Sequence, residues 1–331
     1  MAVEIVSIGS SSSGNSYIIL AGSRTILLDV GLTAKKIIGA LEHFDIAPEE
    51  VDAVLVTHEH VDHVKSVRAI SRKCCNAVFY TSRGTYEATE NFAYVPEERL
   101  RIVAAGDSVV LGDHQYDSSV DGEASGNTDN AVSIDVFPLS HDAREPLGYA
   151  VSCGGEKLAV VTDTGIITDD IYEAIKDAGK LVFESNHDEH LLMFGEYPYY
   201  VKQRIKSDLG HLSNDYAGNV LSRLLSERYE NLHPETGIFS GSAHDEYIDL
   251  EADLDNEPDT DPGADCIKPG SGGNSAGDKA ISIMLAHLSE HNNLPLYASQ
   301  AVEAALNDSG FRRGVHYKLT IAAKETLTIM K

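Results

Sequence analysis

The sequence predicts a layered α/β fold in a single domain spanning residues 1–331, and three observations carry that reading. Short runs rich in β-branched residues alternate with amphipathic segments along most of the chain. Apolar residues make up 42% of the sequence, enough to bury a large core. Two polar, turn-rich stretches interrupt the alternation without dividing it into separate units.

In order from the start, EIVSI, SYIIL and TILLD read as strands, and the Gly-containing loop SSSSGN separates the first two. Helical patterns at 33–43, 64–71 and 82–91 surround the strands AVLVT and AVFY. AVSIDVF, LGYAVS and KLAVVTD follow as strands, then a helix at 168–178, the strand KLVFES, a helix at 213–227 and the strand ISIMLAH. The interruptions at 116–131 and 244–279 read as surface insertions, the second of them acidic and expected to be mobile.

Charge and cysteine usage narrow the chemistry. The formal charge is −26, but residues 244–265 hold ten acids and no Lys or Arg, and without them the charge is −16. Such a charge repels nucleic acid and membranes, yet screening limits its reach to roughly 8 Å at physiological salt, so local patches decide. Cys74, Cys75, Cys153 and Cys266 form no CxxC pair, which leaves any metal to nitrogen and oxygen ligands and fits a reducing compartment. No apolar stretch of about 18 residues occurs, and MAVEIVSIGS lacks a basic opening and a long apolar run. Neither a membrane span nor a signal peptide is therefore expected, and the cytoplasm is the simplest location.

The densest signal is VLVTHEHVDHVKSV (54–67), with three histidines and two carboxylates in six positions directly after a strand. In an extended segment i and i+2 point the same way, so His58 and His60 can grip one ion. Asp62 and His63 lie past the turn and can reach a second. Three later residues follow apolar runs in the same manner: His141 in FPLSHDAREPLGY, Asp163 in KLAVVTDTG and His287 in ISIMLAHLS.

Thr57 to His63 resemble the signature of the metallo-β-lactamase superfamily, and the later positions continue the resemblance. It implies a four-layer αββα sandwich with two divalent metal ions at one edge. One ion takes His58, His60 and His141; the other takes Asp62, His63 and His287; Asp163 spans both. Ligands without sulfur suit Zn²⁺ and Mn²⁺ alike. After Asp163 come Glu184 in LVFESNHD and His211 in SDLGHLSND, with Ser213 expected as the N-cap of the helix that follows. This is similar to RNase Z and the PhnP-type cyclic phosphodiesterases, in which an acid orients a histidine that protonates the leaving alkoxide. Asp62, Glu184 and His211 are the catalytic candidates, and His187 and Asp188 stand open between structural and catalytic roles.

The blocks SIGSSSSGNSYII, LLDVGLTAKKI, VTHEHVDHVKSV, FESNHD, YPYYVKQRIKSDLGHLSND and LAHLSEHNNLP together resemble the YycJ/WalJ family. That resemblance implies 5′→3′ exonuclease activity on DNA. A small-molecule cyclic phosphodiesterase or thioesterase is the rival enzyme, and a non-catalytic regulatory protein the rival of another class. For phosphate contacts the candidates are Lys202, Arg204 and Lys206. Lys65, Arg68 and Arg72, spaced i, i+3, i+7, form either a phosphate track or a solvated helix face. Gly14 and Asn15 either turn backbone N–H groups toward a phosphate or only close a hairpin.

Overall fold

The computed structural model describes residues 3–112, 131–234 and 280–330. Strand formation follows the apolar runs, and each sheet begins as an antiparallel meander and continues as parallel strands. In the first sheet β1 (Val3–Gly9), β2 (Ser16–Ala21) and β3 (Arg24–Leu28) form the meander. β4 (Val51–Leu55), β5 (Val78–Thr81) and β6 (Leu100–Ile102) extend it in parallel. In the second sheet β7 (Ser108–Leu111), β8 (Val132–Pro138), β9 (Leu147–Cys153) and β10 (Glu156–Val161) form the meander. β11 (Lys180–Glu184), β12 (Ile281–Ala286) and β13 (Tyr317–Ile321) run parallel beyond it. A two-residue strand, β14 (Thr328–Ile329), pairs with β1 and brings the first sheet to seven strands, the number in the second.

The sheets face one another across a core that includes Ile5, Tyr17 and Leu55 of the first and Ile134, Tyr149 and Met284 of the second. Helices cover both outer faces. α1 (Ala34–His43) and α3 (Val67–Lys73) lay Ile37, Leu41 and Ile70 on the first sheet. On the second, α5 (Asp169–Ile175), α8 (Asn214–Leu232) and α9 (Pro295–Asp308) present Ile171, Leu221 and Val302. This is the αββα sandwich. β3 and β12 are buried at every position because sheet and helix cover their two faces, and apart from Arg24, Thr25 and Ser282 their residues are apolar. Ser213 caps α8 by accepting from the Tyr216 N–H at 3.2 Å.

Several elements differ from expectation. The helix expected across 64–71 is two: α2 (Val61–Val64) ends before Lys65, and α3 begins at Val67. Lys65, Arg68 and Arg72 therefore do not share one helix, and the Arg68 guanidinium lies 4.0 Å over the Tyr94 ring. The pattern at 82–91 is α4 (Arg83–Ala88) followed by a 3₁₀ turn. The short strands β6, β7, β13 and β14, and helices α6 (Glu189–Phe194) and α7 (Tyr199–Lys206), are too brief to give a clear period. α9 had a usable signal, since Pro295 at its start precedes a buried stripe of Ala298, Val302 and Leu306. The insertion read at 244–279, and all of that at 116–131 except residue 131, lie outside the described residues.

Candidate metal centre

Strand ends converge at one edge of the sandwich. Parallel register aligns β10, β11 and β12, with Val161 opposite Phe183 and Glu184 opposite Ala286, so residues just past these strands come level. Asp163 and His287 then turn out of the pleat with φ of 61° and 56°, and Asp29, just after β3, does the same at 54°. Left-handed backbone at non-glycine residues costs of order 1–3 kcal/mol each and persists only where the surroundings hold it. Here it swings three side chains into one space.

The loop after β4 is seated just as tightly. The Asn15 N–H donates to the Asp62 carbonyl at 2.8 Å, and the Val30 N–H to that of His63 at 2.9 Å. A Cβ on Gly31 would lie 1.4 Å from the Asp62 carbonyl oxygen, so no side chain fits there.

Candidate donor atoms lie within 4.8 Å of one another in four overlapping sets. His58, His60 and His141 form one, and Asp62, His63 and His287 another. Asp163 joins His58 and His63, one member from each of those triads. Asp163 also joins Glu184, His211 and His287. The structure thus gathers all seven expected ligand residues and both members of the expected acid–base pair in one cluster.

The outer ring nitrogens are held from behind. His63 Nδ1 lies 2.7 Å from Asp29 Oδ2, His58 Nδ1 3.0 Å from the Thr57 hydroxyl, and His141 Nδ1 3.1 Å from the Gly210 carbonyl. Thr57 is itself fixed by Asp29, which accepts from its N–H at 2.9 Å. Such partners set the tautomer and leave Nε2 facing the cluster. Glu184 does more than the sequence suggested. Its Oε1 lies 2.9 Å from His211 Nδ1 and 2.8 Å from His287 Nδ1, while Oε2 accepts the Thr164 and Leu212 N–H groups at 3.0 and 3.3 Å.

The electrostatics divide the cluster. Burial and neighbouring imidazoles hold His58 well below the usual histidine range, and burial lowers His141, so both favour the neutral, ligating form. Burial opposes charge on His63 and His287 too, but carboxylates outweigh it: Asp29, Asp163 and Asp62 raise His63, and Asp163, Asp62 and Glu184 raise His287 to about 10. Asp62 and Glu184 stay ionised despite burial because these histidines and His211 face them.

A divalent cation fits this arrangement. Buried His58 Nε2, Asp163 Oδ2 and His287 Nε2 have no hydrogen-bond partner. Orphaned buried polar atoms are costly, and three of them gathered in one space lined by carboxylates suit a bound cation.

Sequence comparison identifies the family. The model of the β-lactamase superfamily domain matches residues 24–233. The chain belongs to the metallo-β-lactamase superfamily. An exodeoxyribonuclease YycJ of Bacillus anthracis is 31% identical over 234 residues, covering 70% of this chain and 81% of the relative. An exodeoxyribonuclease WalJ of Streptococcus pneumoniae is 33% identical over 229 residues, 68% and 78% of the two chains. Among solved structures, the metallo-β-lactamase-fold protein YhfI of Bacillus subtilis matches with a TM-score of 0.58 at 12% identity, covering 99% of this chain and all of that one. As a member of this superfamily with exonucleases among its relatives, the chain is a metal-dependent hydrolase. No helix among the described residues is long and apolar enough to cross a membrane.

The expected substrate contacts are placed differently from one another. Asn15 is fully buried, and its side-chain N–H₂ lies 3.3 Å from Asp62 Oδ2 and 3.2 Å from His63 Nε2, so it braces the ligand loop. Gly14 packs against Leu32, where a Cβ would come within 2.7 Å. Lys202 donates to the Met193 and Gly195 carbonyls at 2.8 Å, Lys206 lies 3.7 Å from Glu189, and Arg204 is bonded to Asp142. Asp188 caps α6 through the Leu191 N–H at 2.8 Å. His187 is buried, and burial lowers it to about 4.

The sequence reading assigned no role to Asp29. LLDVG carried the same signal as Asp163 and His287, a polar residue straight after a buried apolar strand.

Proposed function

We propose that the chain is a dinuclear phosphodiesterase acting on DNA, an exonuclease of 5′→3′ polarity. In this reading His58, His60 and His141 hold one divalent cation, Asp62, His63 and His287 the other, and Asp163 both. Cations at the two positions supply activation of water and stabilisation of charge on the attacking and leaving oxygens.

The observation that carries a phosphodiester substrate is the Glu184–His211 pair beside the two triads. The His211 ring centroid lies 5.0 Å from that of His141 and 5.1 Å from that of His287, one histidine of each triad. Glu184 occupies Nδ1, so Nε2 is the atom free to act. The buried carboxylate behind the ring fixes its orientation, and the protonated ring donates its Nε2 proton to the departing alkoxide. Sugar alkoxides are poor leaving groups that need such a donor. The names of the YycJ and WalJ relatives support DNA as the polymer, and the polarity rests on the family resemblance alone.

The decisive experiment incubates 5′- and 3′-end-labelled single- and double-stranded DNA with the protein and Mn²⁺ or Zn²⁺. Immediate release of the 5′ label as mononucleotide is the expected result. Turnover of cyclic nucleotides or thioesters without DNA cleavage would overturn the reading.

A further inference from the structure

Helix α7 leads directly into the loop that carries His211, yet much of its surface remains without a role in the site. Its sequence YYVKQRIK has three cations and no acid in a chain of formal charge −26, so it is among the segments best matched to a polyanion. Tyr200 and Arg204 are four residues apart and share one face, with Cβ atoms about 5–6 Å apart in regular helix. That face points to the candidate centre: Arg204 is bonded to Asp142, whose Oδ1 lies 3.3 Å from His141 Nε2. Tyr200 is 75% exposed and makes no hydrogen bond or ring contact among the described residues.

We propose that Tyr200 is a stacking platform for a nucleobase close to the scissile phosphate, with Arg204 between ring and metal centre, a contact that rests on the nuclease reading above. Every base has a π-face, so an exposed ring on a cationic helix grips single-stranded DNA without reading its sequence, and of the two exposed tyrosines that open the helix Tyr200 is the one four residues before Arg204. Two features select this occupant. The segment's charge complements a phosphate backbone, and Arg204, one turn along the same helix from Tyr200, is linked through Asp142 to His141 of the cluster. A tyrosine left exposed merely for solubility would have no coupling to the base at a defined nucleotide.

The test is a cycle between protein and substrate. Tyr200→Ala and Tyr200→Phe are compared with the wild type on single-stranded oligonucleotides, intact or carrying one abasic residue at each of the three terminal positions in turn. Tyr200→Ala should lower kcat/KM on intact strands about 5- to 100-fold, mainly through KM, as expected for losing one stacked base. Tyr200→Phe should stay within about twofold, since it keeps the ring. At one abasic position the wild type should fall to the level of the alanine variant, and the variant should lose nothing further. Unchanged cleavage by Tyr200→Ala, additive losses at all three positions, or loss of bound metal would each overturn the proposal. A wild type that binds metal but leaves every oligonucleotide uncut overturns the nuclease reading instead, and this proposal with it.

Discussion

The two halves of the sandwich repeat one topological plan but build their shares of the candidate centre in opposite ways. The first half contributes His58, His60, Asp62 and His63 from one six-residue stretch after β4. The second contributes His141, Asp163, Glu184 and His287 one at a time, from the ends of β8, β10, β11 and β12. A local motif can hold its geometry through its own turn. A distributed set depends on the alignment of whole strands, so its residues must brace one another, and the carboxylate of Glu184 does this for both His211 and His287. The serine loop joins the halves: Ser10 Oγ accepts the His287 N–H at 2.8 Å, and Asn15 braces Asp62 and His63.

Asp163 is the point at which the halves become one site, so its loss should have the largest effect. Asp163→Ala should abolish hydrolysis, because two cations held by separate triads then repel without a shared carboxylate. Metal analysis of the wild type after reconstitution with excess Mn²⁺ or Zn²⁺ is expected to give two ions per chain. A value below one would remove the dinuclear reading and the comparison with it.

Next in size is the division of labour within the second half. His211→Ala should lower kcat on DNA by ~10² to 10⁴, the usual span for general acid catalysis, with metal content intact. The loss on bis-p-nitrophenyl phosphate should be far smaller, since p-nitrophenolate leaves without a proton. His287→Ala should shed a metal and both activities together. The opposite pattern would mean that the two histidines held by Glu184 have exchanged roles.

A weaker effect is expected behind the first half. Asp29→Asn removes the charge that fixes His63, and partners of this kind typically contribute 10–100-fold in metal affinity. Titration with a metal-sensitive dye should show that loss while circular dichroism stays unchanged. Equal affinity in variant and wild type would leave the local motif self-sufficient and Asp29 a fold residue only.

The smallest change should follow deletion of 246–277, which we read as an insertion outside both halves. The thermal midpoint should move by less than about 2 °C, on the order of 1 kcal/mol for a protein of this size, with metal content preserved. Failure of the shortened chain to fold would place that segment in the core.

By itself the sequence determined the layered alternation, most of the long strands, and the order of ligand-type residues after apolar runs. These are local properties: a strand with two covered faces is mostly apolar, and an ionisable residue directly after it stands out. Tertiary structure alone decided which of those residues share a space and what stands behind them. Asp29 reaches His63 across 34 positions, and Glu184 reaches His287 across 103, because parallel register brings distant strand ends level and left-handed backbone turns their side chains inward. Neither the register nor the turn is written in any short window of residues. Both arise only when the two sheets close over their common core.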